Sequence, residues 1–246
     1  MKRFSDVPLP PSDLQKLVGS HTPESFIEVG MAFADYFKQR ELVKKHYKIL
    51  EPGCGCGRIS KHLISELDPS LGGEYHGFDV HKECIEWAIE NITKTYPHFH
   101  FKHTDVYNHL YNPKGNIKNL SRMVFPYEEN YFDFIYTASF FTHLSREHLE
   151  YYLRAIHKLC KNGGTVSSSF FTYNDIQEFE HISEKEMGMK NQYYKFDDVS
   201  YIFSQKNPSL VVTYNIEYLK NFIEEAGFSL IQSSTGWQSA WIFKKE

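Results

Sequence analysis

The hydrophobic positions of the chain repeat with two periods, one typical of strands and one typical of helices. Short apolar or alternating segments predict strands, namely KILEP, EYHGFDV, HFHFKHTDV, YFDFIYTASFF, GGTVSSSFFT, FSLIQSS and SAWIFKKE. Most of the segments between them carry apolar residues on one helical face, as Ile85, Ala88, Ile89 and Ile92 do. Strands that alternate with helices predict βαβ crossovers and therefore a mostly parallel sheet.

Three regions lie outside this alternation. A Pro-rich N-terminal segment predicts an irregular arm, and a helix follows from near Glu24 with Phe26, Gly30, Phe33, Phe37 and Glu41 on one face. Two further segments, residues 107–130 and 173–210, each follow a predicted strand end. Open α/β sheets bind ligands at that end of their strands, so we expect both insertions to lie on the ligand side.

Composition and charge limit the possible partners. The chain has 246 residues and a net charge of −4, which argues against a nucleic-acid surface. The sequence has no apolar run long enough for a membrane span and no signal-peptide pattern. Its four cysteines form no CxxC pair, which fits a reducing compartment. We therefore expect a cytoplasmic protein with neither a nucleic-acid nor a membrane partner.

The segment ILEPGCGCGRIS predicts a glycine-rich turn between a strand and a helix. Such a turn permits tight backbone angles, close approach and outward-facing amides. The dinucleotide fingerprint G-x-G-x-x-G would need a glycine at position 58, where Arg58 stands instead. The carboxylate of Glu51, two residues before Gly53, would repel a pyrophosphate but favour a cationic ligand.

Two further acids follow predicted strands. Asp79 ends the second strand, where a carboxylate can accept two ribose hydroxyls, and Asp105 follows the third, where it can accept from an exocyclic amine. With Glu51 they suit a positively charged nucleoside without phosphate, such as S-adenosylmethionine. Asp79 is alternatively a helix N-cap and Asp105 a turn residue. Cys54 and Cys56 predict packing side chains rather than metal ligands, because no Cys/His cluster stands nearby in sequence.

These motifs, together with YFDFIYTASFFTHL and LCKNGGTVSSSFF, resemble the ordered motifs of class I S-adenosylmethionine-dependent methyltransferases over roughly residues 45–170. More narrowly, EPGCGCGRIS, GFDV, YNPKG and FFTHL resemble bacterial small-molecule methyltransferases of glycan or secondary metabolism. CKNGG departs from the usual LKPGG. The resemblance implies an α/β, Rossmann-like doubly wound sheet of seven mostly parallel strands, with an antiparallel last strand, in three αβα layers.

The resemblance also assigns a cofactor site. Glu51 would orient water or the methionine amine, Asp79 and Val80 would meet the ribose and adenine, and Asp105 would meet the adenine edge. The full predicted set is Glu51, Gly53, Cys54, Gly55, Gly57, Arg58, Asp79, Val80, Asp105, Val106, Ala138, Ser139 and Phe140. The last three would line the methionine end.

For catalysis, His143 in SFFTHL is the candidate base, since an imidazole titrates near neutral pH. Alternatively His143 packs or caps the following helix. Candidate acceptor-binding residues in the second insertion are Tyr173, His181, Tyr193 and Tyr194. No catalytic metal is expected. Metal-dependent catechol-type enzymes resemble one another in a carboxylate directly after the fourth strand, and Thr137, Ala138 and Ser139 occupy that stretch here.

The resulting hypothesis is a single-domain enzyme that methylates a small molecule, and O-methylation of a sugar, phosphorylated metabolite or secondary metabolite is favoured. Residues 1–45 would cover the site, and residues 107–130 and 173–210 would form the acceptor side. The alternatives are an N-methyltransferase, an NAD-dependent oxidoreductase and a non-catalytic nucleoside-binding module. The sequence leaves a monomer or a homodimer equally open.

Overall fold

The computed structural model describes residues 7–123, 125–188, 192–234 and 237–246. The chain divides into two compact units. The first contains the residues up to Asp105 together with Phe132–Phe134, and the second contains Val106–Tyr131 and Ile135–Glu246.

The first unit is an α/β arrangement with parallel strands. Its strands are β1 (Lys48–Pro52), β2 (Glu74–Asp79), β3 (Phe99–His103) and the start of β4 (Phe132–Thr137). Its helices are α1 (Ser12–Leu17), α2 (Pro23–Gln39) and α3 (Lys82–Ala88). The strand order is β3-β2-β1-β4, and β2 pairs in parallel with both β1 and β3. The carboxyl ends of β1 and β2 therefore meet at one edge.

The first unit differs from the predictions at two positions, Ile89 and Glu41. The segment RISKHLISEL forms a 3₁₀ helix over Ser60–Leu63, and α3 passes into a π-helical turn over Ile89–Thr93. Ile89 is 41% exposed, although Ile85, Ala88 and Ile92 are buried as predicted. Glu41 lies beyond the end of α2 and has a φ of +55°, so it does not extend the helical face.

The second unit contains the rest of β4 and the strands of the second half of the chain. These are β5 (Cys160–Tyr173), β6 (Tyr194–Lys195), β7 (Ser200–Ile202), β8 (Val212–Asn215), β9 (Phe228–Gln232) and β10 (Ser239–Lys245). The helices are α4 (Arg146–Leu159), α5 (Ile176–Met187) and α6 (Ile216–Glu225). The order is β4-β5-β8-β7-β6, and β10 lies against both β5 and β9.

Strand β5 pairs with two partners along its length. Its middle pairs antiparallel with β10, whereas Phe171–Tyr173 pair in parallel with β8. The predicted antiparallel last strand is therefore confirmed, as is the mostly parallel α/β fold. The described residues hold ten strands rather than the seven predicted. The extra strands are β6, β7 and β8, each too short to show a reliable alternation.

None of the helices in the described residues is both long enough and apolar enough to span a membrane.

Candidate active site

The glycine-rich turn after β1 adopts left-handed backbone at each of its three glycines. The φ angles of Gly53, Gly55 and Gly57 are +73°, +53° and +79°. A side chain strains the backbone in this region, so the alternate glycines are explained by the shape of the turn itself.

The chain itself occupies the space left by the missing side chains. A Cβ at Gly55 would lie 2.3 Å from Val18 Cγ1, and one at Gly57 would lie 2.7 Å from Ile92 Cδ1. The N-terminal segment thus packs directly on the turn. The close approach predicted for a ligand is made at these two positions by protein side chains.

The prediction that the amides of this turn face outward was wrong for four of them. The amides of Gly53 and Cys54 both donate to Phe78 O, at 2.8 and 3.1 Å. The amide of Gly55 donates to Asp79 Oδ2 at 2.8 Å, and that of Gly57 donates to Cys54 O at 3.0 Å. Any ligand contact from these residues therefore has to use other atoms.

Asp79, at the end of β2, has both carboxylate oxygens held by backbone amides. Oδ2 accepts from Gly55 N and Oδ1 accepts from His81 N, each at 2.8 Å. Burial raises the pKa of this carboxyl, and the two amides partly oppose the shift. The residue nevertheless remains partly exposed, and each oxygen keeps a further lone pair for a hydroxyl donor. The N-cap position of α3 is occupied by His81 rather than by Asp79.

Glu51 is a buried acid on the same unit, with 3% of its surface exposed. It accepts a hydrogen bond from the Tyr75 hydroxyl. The Arg58 guanidinium donates to Ser20 Oγ at 3.1 Å, and burial lowers its pKa while Glu51 partly opposes that shift. The Arg58 side chain therefore links the N-terminal segment to the glycine turn, and its positive charge interacts with the carboxylate of Glu51.

Cys54 and Cys56 are buried packing residues, as predicted. Burial raises the pKa of the Cys54 thiol, and the nearby carboxylates of Asp79 and Glu51 raise it further. Cys56 packs in an apolar cluster with Leu14, Phe26 and Cys84. A protonated thiol is neither a nucleophile nor a metal ligand, so this chemistry agrees with packing.

The segment after β3 continues the same edge of the first unit. Val80 and Asp105 are both partly exposed, and the Thr104 amide donates to Asp79 O at 2.9 Å. His103 Nε2 lies 3.1 Å from Val80 O. Val106 belongs to the second unit, where it is 4% exposed and its carbonyl accepts from Asn112 Nδ2. Val106 is thus a core residue of its unit.

In the second unit, β4 ends in a sharp corner at Ala138, Ser139 and Phe140, all of which are partly exposed. Ser139 has a φ of +56°, in the left-handed region that normally favours glycine. Its amide donates to Ser169 Oγ at 2.8 Å and its carbonyl accepts from Thr142 Oγ1 at 2.8 Å. Its own hydroxyl accepts from Gln238 Nε2. A strained residue that is fixed on all sides is typical of a functional corner.

His143 lies just past this corner and is held in one orientation. Its Nδ1 lies 2.9 Å from Ser209 O, so Nδ1 carries the proton, because a carbonyl only accepts. Its Nε2 lies 3.3 Å from the Tyr111 hydroxyl, and the two rings meet edge to face. Burial lowers the pKa of His143. The N-cap of α4 is Ser145, so His143 does not cap that helix.

Of the four predicted acceptor-binding residues, Tyr173 and Tyr193 pack in the same apolar cluster, and the other two are exposed. Tyr173 lines a cavity of about 170 Å³ at the end of β5, together with Asp175, Glu178 and Phe179. Tyr193 is a buried member of the cluster and bonds to Ser183 Oγ, which is a structural role. The two exposed residues are His181 on α5 and Tyr194 on β6. Burial raises the pKa of Tyr173 and of Tyr193 to about 12, so both hydroxyls stay protonated.

The sequence did not predict Tyr111 or Ser209 as partners of His143. Both belong to the insertions, residues 107–130 and 173–210, and no spacing rule relates them to the corner. The only available signal was that both insertions follow strand ends. The acidic residues Asp175 and Glu178 of the cavity were also missed.

Comparison with known proteins supports the methyltransferase hypothesis. Residues 49–164 match the family model described as a methyltransferase domain. The matched segment is a little under half of the chain. The match spans β1 to the start of β5, which includes the glycine turn, Asp79, the Ser139 corner and His143. The predicted enzyme class, a methyltransferase with S-adenosylmethionine as its cofactor, is confirmed. The narrower resemblance to glycan-pathway enzymes is not confirmed.

Solved structures share the fold at low sequence identity. A methyltransferase from Aquifex aeolicus is 15% identical, with 96% of this chain and 98% of that one covered and a TM-score of 0.58. One from Methanosarcina mazei is 16% identical, covering 85% and 96% with a TM-score of 0.57. A Burkholderia thailandensis 1,6-didemethyltoxoflavin-N1-methyltransferase, solved with its substrate and S-adenosylhomocysteine, is 15% identical, covering 98% and 92% with a TM-score of 0.57. These likenesses show the fold.

Proposed function

We propose that the protein transfers the methyl group of S-adenosylmethionine to a hydroxyl of a small molecule, and that His143 accepts the hydroxyl proton. The orientation of His143 carries the proposal. With Nδ1 donating to Ser209 O, the lone pair of the neutral ring lies on Nε2, which is therefore its proton acceptor. Burial lowers the pKa and so keeps the ring neutral at neutral pH.

The residues of the first unit fit a cationic nucleoside. Asp79 keeps spare acceptor capacity for a ribose diol, and the partly exposed Asp105 offers an acceptor for an adenine amine. Val80 supplies an apolar side chain beside Asp79. The assignment of Ala138, Ser139 and Phe140 to the methionine end stays a prediction. When bound, S-adenosylmethionine supplies a methyl group activated by a sulfonium.

The chain's own part in the reaction is then to bind, orient and deprotonate the acceptor. An acceptor hydroxyl has to lose its proton as its oxygen takes the methyl group, and Nε2 receives that proton. The contact of Nε2 with the Tyr111 hydroxyl is long at 3.3 Å, so an acceptor hydroxyl can replace Tyr111 as the donor. Ser209 O keeps the ring from turning in either protonation state, because Nδ1–H donates in both.

We further propose that the acceptor binds in the cavity that Tyr173 lines. Its carboxylates, Asp175 and Glu178, would repel a phosphate group, whereas hydroxyl groups can donate to them. Among the predicted acceptors we therefore favour an uncharged, hydroxyl-rich one such as a sugar over a phosphorylated metabolite.

Substitution of the base tests this proposal. His143→Gln should lower kcat about 10²- to 10⁴-fold, the range for a lost general base, with little change in S-adenosylmethionine affinity. The rate loss should persist at every pH, because glutamine has no titrating nitrogen. His148→Gln, on α4, is the matched control and should leave the rate unchanged. The assay measures S-adenosylhomocysteine release across a panel of sugars and sugar nucleotides.

An unchanged rate in His143→Gln would contradict O-methylation and favour an amine acceptor, whose neutral lone pair needs no base. The Burkholderia enzyme is named as an N1-methyltransferase, so a nitrogen acceptor is the specific alternative that this variant distinguishes from a hydroxyl.

The cofactor assignment has its own test, by titration calorimetry. Asp79→Asn should weaken the binding of S-adenosylmethionine and S-adenosylhomocysteine about tenfold, because the amide places a donor where an acceptor is needed. Asp68→Asn is a matched control, since Asp68 is likewise partly exposed and accepts from an amide two residues on but is not among the cofactor-binding candidates. Binding of NAD without either sulfur nucleoside would favour an oxidoreductase, and cofactor binding without turnover on any acceptor would favour a binding module.

A further inference from the structure

A cluster of three metal-ligating side chains lies on β2 and β3, away from the residues discussed so far. The parallel register places His76 of β2 directly beside His100 of β3. Glu74 precedes His76 by two residues on β2, so both side chains point to the same face of the sheet. The sheet register itself therefore brings two imidazoles and one carboxylate together.

The three side chains are within reach of one ion. His76 Nε2 lies 3.1 Å from Glu74 Oε2, and the rings of His76 and His100 stack with centroids 4.6 Å apart. One ligand atom of each residue lies within 4.8 Å of those of the other two. The Glu74 side chain is 30% exposed and His100 is exposed, so the cluster is open to solvent on one side.

We propose that Glu74, His76 and His100 bind one divalent transition-metal ion of the zinc class, with water completing its coordination. Imidazole nitrogens with a carboxylate oxygen suit Zn²⁺ and its neighbours Co²⁺, Ni²⁺ and Cu²⁺. Mg²⁺ and Ca²⁺ prefer oxygen ligands and would not select two imidazoles. Small side-chain rotations bring such atoms to the bonding distances of about 2.0 to 2.2 Å.

The side chain of Lys48 lies beside the carboxylate of Glu74. Lys48 Nζ lies 3.9 Å from Glu74 Oε1, the oxygen that does not contact His76. The position of the lysine leaves Oε2 directed toward the imidazoles.

The ion would have a structural role rather than a catalytic one. Glu74 begins β2 and Asp79 ends it, and a rise of about 3.3 Å for each of the five steps between them separates them by about 16 Å. The ion would cross-link β2 and β3 near their amino ends, whereas the cofactor-binding candidates lie at their carboxyl ends. The site therefore does not depend on the proposed function.

Calorimetric titration of ZnCl₂ into metal-free full-length protein tests the proposal. We expect one ion per chain, and both Glu74→Gln and His100→Ala should weaken binding at least tenfold. His100 is exposed, so its substitution should leave the fold intact. His21→Ala, an exposed histidine of the same unit, is the matched control and should bind as the wild type does.

A second readout excludes binding to the cysteines. The Co²⁺-loaded protein should show visible absorption without a thiolate-to-cobalt charge-transfer band, and its spectrum should be lost in His100→Ala. Absence of zinc binding, equal binding by His100→Ala, or a thiolate band would each overturn the proposal. Affinity for S-adenosylmethionine should be the same in His100→Ala and wild type.

Discussion

Two strand ends of the molecule turn the chain through left-handed backbone, and they do so with different residues. After β1, Gly53, Gly55 and Gly57 adopt positive φ angles without strain from a side chain. After β4, Ser139 adopts a φ of +56° and is held there by bonds from its amide, carbonyl and hydroxyl. The first corner is therefore favoured by its local sequence, whereas the second is imposed by distant partners such as Ser169.

Each corner is followed by a short 3₁₀ helix that carries a histidine. His62 lies in Ser60–Leu63 and is 6% exposed, and burial with the nearby cations Lys61 and Lys38 lowers its pKa to about 4. His143 lies in Phe141–His143 and bonds to Ser209 O and Tyr111. Similar local structure thus gives one histidine that is buried beside two cations and one whose ring is oriented by contacts with Ser209 and Tyr111.

The largest expected effect is at Gly55. Gly55→Ala combines left-handed strain with a Cβ 2.3 Å from Val18 Cγ1. Strain of about 1 kcal/mol and overpacking of about 2 kcal/mol should lower the free energy of unfolding by about 3 kcal/mol. Urea denaturation of wild type and variant measures the difference.

Gly19→Ala is the matched control, because Gly19 has a φ of +75° and a Cβ added there would meet nothing within 4 Å. It should lose only the strain of about 1 kcal/mol. Adding Val18→Ala should restore part of the loss in Gly55→Ala but none in Gly19→Ala. Equal losses at both glycines would show that the packing of Val18 contributes nothing.

Acidification should destabilise the protein through His62. His62 has a folded pKa of about 4, below the ordinary value near 6.5, so the unfolded chain takes up the proton first. The contribution of His62 to the free energy of unfolding is therefore complete only above pH 6.5. It falls by about 2 kcal/mol when the pH is lowered from neutral to 5. His62→Leu should remove this share of the pH dependence, as measured by denaturation at a series of pH values. An identical pH dependence in both proteins would contradict the low folded pKa.

The smallest effect concerns the strain at Ser139. Ser139→Ala and Ser139→Gly both lose the bond from Gln238, but only glycine is relaxed at a φ of +56°. The glycine variant should therefore be about 1 kcal/mol more stable than the alanine variant, the reverse of the order at an ordinary position. Greater stability of the alanine variant would show that the corner adopts another conformation.

The same contrast explains what could be predicted from sequence. The glycine turn, its flanking strands and Asp79 were predictable, because strand periodicity and glycine spacing are local signals. The left-handed backbone of Ser139 was not, since serine carries no preference for it and the bonds that hold it come from residues far away in sequence. The segment at Ser60–Leu63 had helical apolar spacing, yet its hydrogen bonds are mostly of the shorter 3₁₀ kind.

The insertions were the least predictable part. Strands β6 and β7 are two and three residues long, which is shorter than any window that can show alternation. The contacts of His143 depend on Tyr111 and on the carbonyl of Ser209, and a carbonyl has no signature in the amino-acid sequence. Tyr193 was predicted at the acceptor pocket but is a core residue, because an aromatic residue in an insertion packs the insertion's own small core.

The attachment of His143 to both insertions has a consequence for protein engineering. Grafting an insertion from another enzyme would replace Tyr111 or Ser209, and so would alter the contacts of the ring that we propose as the base. Without a carbonyl at the position of Ser209, the ring is free to carry its proton on either nitrogen, and part of the population loses its acceptor at Nε2. A successful graft therefore has to conserve one backbone oxygen that no sequence alignment would display.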